Sequence, residues 1–118
     1  MKRNHRTLLV WQEAVELVVL VHQTTKSFPR EEIYGLASQM RRAATAVPSN
    51  IAEGFARAGT RELLRYLNMA AASLSELDTQ VEIARRLGYL ADAPDVCGTV
   101  DKVSRLLAAL VTSLKRKQ

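Results

Sequence analysis

Apolar residues recur at helical spacing in four stretches of the chain. The clearest runs from about Thr60 to Leu87, where Leu63, Leu67, Ala70, Leu74, Leu77, Val81 and Ala84 alternate intervals of four and three. That interval is the seam of a heptad pattern. Thr60 stands where an N-cap is expected, Glu62 suits the positive end of the helix dipole, and Gly88 stands where a left-handed residue would end the helix. The last stretch repeats the intervals with Val96, Val100, Val103, Leu107, Leu110 and Leu114. Asp92 is the expected cap here, with Pro94 just inside the start and Lys115, Arg116 and Lys117 at the cation-favouring end. The second stretch follows Ser27-Phe28-Pro29, carries Glu31 and Glu32 in its first turn and presents Ile33, Leu36, Met40, Ala43, Val47 and Ile51. Pro48 removes a backbone donor and crowds the carbonyl four residues back, at a cost of about 3 kcal/mol in a straight helix. A kink near Ala44 to Pro48, or a break with Ser49 restarting the helix, is predicted, and then a stop between Gly54 and Gly59.

The first stretch, Leu8 to Thr25, contains Leu17-Val18-Val19-Leu20-Val21, which on pattern alone reads equally as a short buried strand. Its flanks, Gln12, Glu13, Ala14 and Glu16, decide for helix. Five consecutive apolar residues wrap more than once around a helix axis, whereas one core covers a single stripe. Leu17, Val18, Val19, Leu20 and Val21 are therefore candidate subunit contacts, and self-association is expected. Connections of about five residues make successive helices antiparallel neighbours, so the fold class is all-α, an up-down-up-down four-helix bundle. Residues 1–118 form one domain with basic tails at 1–7 and 115–118. Both termini then fall at the same end.

Composition sharpens this picture. Sixteen Ala and sixteen Leu against five Gly and three Pro favour helix. The longest apolar run, Leu17 to Val21, is far too short to span a membrane. Acidic residues interrupt the first apolar stretch and no small-residue cleavage site follows, which argues against a secretory signal. A lone cysteine, Cys97, closes no intrachain disulfide, so a cytoplasmic location is the default expectation. Cys97 reads as a small buried residue and His22 as a helix-surface or subunit-contact residue. Two histidines and one cysteine share no helical turn, so no metal or other cofactor is expected. Glu82 has Arg85 and Arg86 three and four residues on, the geometry of exposed ion pairs rather than acid-base catalysis. The glycines stand alone and form no phosphate-cradling loop. No catalytic residue is nominated.

Basic charge is what remains. The net charge is +5 and the pI about 9.8. Part of it is locally compensated, by Glu53 for Arg57, Glu62 for Arg65 and Asp101 for Arg105. The candidate nucleic-acid contacts are Lys2, Arg3, Arg6, Arg41, Arg42, Arg61, Arg65, Lys115, Arg116 and Lys117. Arg41 and Arg42 point about 100° apart on a helix, so at most one should face inward. With few exposed aromatics, binding would follow the phosphate backbone with little sequence preference.

The stretch Phe28 to Gly54, with Glu-Ile-Tyr-Gly-Leu-Ala-Ser-Gln-Met-Arg-Arg-Ala-Ala and then Val-Pro-Ser-Asn-Ile-Ala-Glu-Gly, resembles the small four-helix bundle proteins related to those encoded by intervening sequences in bacterial 23S ribosomal RNA genes. It is similar as well to the accessory variability proteins of diversity-generating retroelements. Trp11-Gln12-Glu13-Ala14, Ala70 to Leu77 and Arg86-Leu87-Gly88-Tyr89-Leu90 extend the likeness over residues 8 to 90, while the last helix matches only in character. The resemblance implies a ring-forming protomer, typically a homopentamer, with a basic surface that binds nucleic acid and with no known catalysis. In the retroelement members it also implies binding of a reverse transcriptase. Pro48, Asn50, Glu53 and Gly54 of the shared motif read as structural: Asn50 can bond backbone groups freed by the proline, Glu53 can pair with Arg57 or reach arginines of another helix, and Gly35 and Gly54 permit a turn or close helix approach.

Overall fold

All seven seam positions of the third stretch are buried in one core, and they set the long axis of the molecule. The computed structural model describes residues 5–90 and 95–117. In it the four stretches are helices: α1 (Leu9–Thr25), α2 (Leu36–Ala56), α3 (Thr60–Arg86) and α4 (Val96–Arg116). At 1.5 Å per residue α3 accounts for most of the 46 Å long dimension of a 46 × 22 × 20 Å body. Each helix packs against two neighbours. Helices α1 and α3 both lie against α2 and α4, and among the described residues the backbones of the diagonal pairs stay farther apart.

Successive helices run antiparallel. Arg41, early in α2, bonds Thr25 at the end of α1, and Gly54, late in α2, lies against Leu63 and Tyr66 at the start of α3. The bundle is thus the expected one, although its connections differ from expectation. Only residues 57–59 make a short link; 26–35 and 87–95 are longer, and 26–35 carries a 3-10 turn of its own. Glu31 and Glu32 sit in a separate 3-10 turn, Arg30–Glu32, and not in the first turn of α2. Glu32 still serves the helix, because its Oε1 accepts from the Leu36 N–H at 3.1 Å while Oε2 accepts from the Tyr89 hydroxyl at 3.0 Å. One carboxylate thereby joins the two long connections, and Phe28 packs its ring on Tyr89 beside it, with centroids 5.1 Å apart. Ile33, expected on the apolar face of α2, lies in this connection and is 51% exposed.

Helix α2 runs unbroken through Pro48, so the predicted break with a restart at Ser49 does not occur. Met40, Ala44, Val47 and Ile51 are fully buried on either side of the proline. Packing on that scale outweighs one missing hydrogen bond. Asn50 donates Nδ2 to the Ala46 carbonyl at 2.9 Å, a back-bond one turn away, and does not reach the Ala44 carbonyl that proline leaves without its donor.

The helix ends show two further departures. Gly59, at φ 89°, occupies the N-cap of α3 in place of Thr60 and makes no side-chain cap. The cap of α4 is Asp95, whose Oδ1 accepts from the Gly98 N–H at 2.8 Å; Asp92 and Pro94 lie outside the described residues. Replacing Asp95 with alanine should lower stability by about 1 kcal/mol, read as a fall of a few degrees in the thermal midpoint followed by circular dichroism. An unchanged midpoint would show that the cap contributes nothing. The other end of α3 is as read: Gly88 takes φ 79°, its N–H bonds Arg85 and that of Tyr89 bonds Ala84. Those two bonds make a Schellman motif.

Candidate nucleic-acid interface

Antiparallel packing gathers the 3-10 turn His5–Thr7, the α2–α3 link and the last turns of α4 at one end of the bundle. Seven described cations belong to that end: Arg6, Arg57, Arg61, Arg65, Lys115, Arg116 and Lys117. Only Glu53 and Glu62 accompany them. Lys2 and Arg3, expected there too, lie outside the described residues. The middle of the bundle has the opposite sign, with Glu13, Glu16, Glu76, Asp78 and Asp101 against Lys102 and Arg105. The far end is also basic, with Lys26, Arg30, Arg41, Arg42, Arg85 and Arg86 against Glu31, Glu32, Glu82 and Asp95, so both ends are positive about an acidic middle and the terminal end carries the larger cation excess.

Local geometry holds this end in shape. Arg57 donates Nη2 to Glu53 at 2.8 Å and to the Tyr66 hydroxyl at 2.9 Å. Its guanidinium lies 5.1 Å from the Tyr66 ring centroid, and that of Arg65 lies 4.8 Å from the same ring. Two arginines thus flank one tyrosine, which orders both forks without neutralising them. Glu62, 3.4 Å from Arg65, raises the arginine's pKa further, although an exposed guanidinium is charged at any working pH without it. Arg61, one residue before Glu62, is exposed. Across the end, the Arg6 guanidinium lies 5.3 Å from the Trp11 ring, which also takes His5 edge-on. Arg57, Tyr66 and Trp11 were not nominated from sequence. Arg57 reads locally as spent on Glu53, and the stacking on Tyr66 depends on how α2 meets α3.

Arg41 and Arg42 belong elsewhere. They sit at the opposite end, Arg42 exposed and Arg41 half-buried against Thr25, so one of the pair does face inward, and neither adds to the terminal patch. Of the candidate subunit contacts, Leu17 and Val21 are wholly taken by the protomer's own core. Val18 and Leu20 are half-buried against that core, and Val19 is 43% exposed. Any contact with another copy on this face must be made through Val18, Val19 and Leu20.

Other sites offer less. A groove of about 410 Å³ between α3 and α4 is lined by Ala71, Ser75, Ser104 and Ala108 with Asp78 and Asp101. Its carboxylates would repel a phosphate chain. Glu82 is pulled down to about 2 by hydrogen bonds from Arg85 and Arg86, at 2.6 and 2.8 Å, the exposed pairing expected of it and the reverse of what a general acid needs. Asp101 makes no ion pair with Arg105; the inter-helix bridge is Lys102 to Glu13 at 3.4 Å. Cys97 is exposed, not buried as expected, because it follows the cap on the outer side of α4. Partial desolvation, and then the carboxylates of Asp95, Asp78, Asp101 and Glu82, push its thiol up, which makes it a poor nucleophile. Among the described residues no group of His, Cys, Asp or Glu is placed to hold a metal, and no helix is long and apolar enough to cross a membrane.

No individual curated protein matches the sequence. One family model, described as the 23S rRNA-intervening sequence protein, matches residues 6–109. That span takes in all of α1 to α3 and most of α4, including Arg6, the motif around Pro48 and the α2–α3 link that carries the paired arginines. The chain belongs to the 23S rRNA-intervening sequence protein family.

Proposed function

We propose that this protein is a non-catalytic accessory protein that associates with itself and binds the phosphate backbone of RNA or DNA through the terminal end of its bundle. The observation that carries the reading is the charge separation: seven cations against two carboxylates at one end, an acidic middle beyond them. Self-association would strengthen such binding. A homopentamer of chains carrying +5 each would present roughly +25 to a polyanion, and the exposed Val19 between half-buried Val18 and Leu20 supplies apolar surface for the contact. The family's own description, tied to 23S rRNA, favours RNA as the polyanion.

The test is binding of labelled RNA and DNA of mixed sequence across a salt series, with light scattering on the same samples. The expected result is tight binding at low salt, a steep linear fall of log affinity with log salt, little difference between sequences, and a mass several times 13.1 kDa. Affinity that stays flat as salt rises would remove the backbone reading, and a stable monomer would remove the ring.

A second reading rests on the opposite end, where Tyr34 is 96% and Ile33 51% exposed. Exposed apolar side chains of this kind suit a protein surface better than a phosphate chain. There the bundle would act as a scaffold that docks an acidic partner, such as a reverse transcriptase. A partner retained after nuclease treatment favours this reading, and one lost with the nucleic acid favours the first.

A further inference from the structure

At the α1–α2 corner, on the end away from the terminal patch, a cavity of about 400 Å³ opens between the end of α1 and the start of α2. Lys26, Arg30 and Arg41 line it together with Phe28, Ile33 and Ala37, and no carboxylate is among the lining residues. Of the two acidic residues in this connection, Glu31 is exposed and does not line the cavity, and Glu32 has committed its two oxygens to the Leu36 N–H and the Tyr89 hydroxyl. Arg41 is held in a fixed pose. It donates Nε to Thr25 Oγ1 at 2.8 Å, and that hydroxyl in turn donates to the Val21 carbonyl at 2.7 Å. The two terminal nitrogens of this half-buried guanidinium bond nothing among the described residues. Neither Lys26 nor Arg30 is ion-paired there.

A fixed guanidinium fork with both terminal nitrogens open is the geometry that takes two oxygens of a carboxylate or phosphate. Three cations without a carboxylate suit a dianion better than a monoanion. The apolar wall of Phe28, Ile33 and Ala37 suits a flat or apolar body beside the charge, and the volume falls within the range of small-ligand sites. We infer that this cavity binds a phosphate monoester carried on a nucleoside-sized body, either a free mononucleotide or the phosphorylated terminal nucleotide of an RNA. The inference is independent of backbone binding at the other end, since the two sites share no residue.

The test is calorimetric titration of the full chain with adenosine monophosphate, adenosine and inorganic phosphate, and competition by a short RNA with or without a terminal phosphate. Adenosine monophosphate should bind saturably, inorganic phosphate more weakly, and adenosine not at all. Arg41→Gln should weaken the nucleotide about tenfold or more, and Arg105→Gln, an exposed cation outside both sites, should leave it unchanged. Because Arg41 also holds Thr25, a second variant, Lys26→Ser with Arg30→Ser, removes only exposed charge and should weaken binding similarly. Competition by the phosphorylated RNA alone assigns the site to RNA ends, and its absence assigns it to free nucleotides. No saturable binding of nucleotide or phosphate up to millimolar concentration, or unchanged binding in both variants, overturns the inference.

Discussion

Changing Arg61, Lys115, Arg116 and Lys117 together to glutamine should reduce RNA affinity at low salt by about a hundredfold or more and flatten the salt dependence, the log-log slope losing roughly 0.9 for each phosphate contact removed. All four side chains are exposed and make no ion pair among the described residues, so their removal leaves no buried partner behind. Glutamine is preferable to glutamate here. A carboxylate in the last turn of α4 would oppose the helix dipole and confuse lost binding with a frayed helix. The informative control is Arg42→Gln with Arg86→Gln, which removes two cations at the opposite end. If the terminal end binds the chain of phosphates, that control loses only the small share due to net charge. Losses in proportion to the number of charges removed, whichever end they come from, would mean that total charge matters and its placement does not. Folding of each variant is checked by thermal unfolding, because a drop in binding counts only for a folded bundle.

How much of this was legible in the sequence depends on how far apart the interacting residues lie along the chain. The heptad positions of α3 were readable because a period of 3.5 acts within the helix itself, and every residue from Leu63 to Ala84 assigned to the seam is buried. Most ion pairs three or four residues apart were readable for the same reason, as Glu53 with Arg57, Glu62 with Arg65, and Glu82 with Arg85 and Arg86 show, although Asp101 and Arg105 at the same spacing do not pair. Lys102, by contrast, reaches Glu13 on a different helix, a pairing that no local spacing signals. Helix caps were half-readable: Gly88 has a unique conformational role, whereas the acidic residues Asp92 and Asp95 compete for the same position and composition does not separate them. The proline rule failed at Pro48 because its local cost is smaller than the packing of the face around it.

The same distinction explains the candidate site. Counting charges along the chain finds the basic tails and Arg61, but it treats Arg41 and Arg42 as equivalent to them. Only the register between α1 and α2 reveals that this pair lies at the far end, with Arg41 turned onto Thr25. Conversely, Arg57 reads as a partner of Glu53 alone, and only the α2–α3 contact brings Tyr66 against it as well. Pattern within one helix specifies what is buried. Contact between helices decides which charges meet.

Gly54 is where that contact is made, and replacing it with leucine should cost about 3 kcal/mol, a fall on the order of 10 °C in Tm. A Cβ at this position would stand 2.9 Å from Cβ of Tyr66, 3.1 Å from Leu63 Cδ1 and 3.3 Å from the Leu63 carbonyl oxygen. Two of those three neighbours are backbone or next to it and cannot swing aside, so α2 and α3 must part along their closest seam. Alanine poses a finer test because two effects oppose each other. It gains up to about 1 kcal/mol in helix propensity over glycine, while overpacking of this kind costs about 1–3 kcal/mol, so a net loss is expected, smaller than that of leucine. Thermal and denaturant unfolding of both variants measures the order glycine, alanine, leucine in falling stability. The parting of α2 from α3 would also separate Arg57 from Tyr66, so Gly54→Ala, if still folded, should weaken RNA binding although position 54 carries no charge and is buried. An alanine variant more stable than the parent would show that the helices are not in close contact there, and the account of how the arginines are positioned would fail with it.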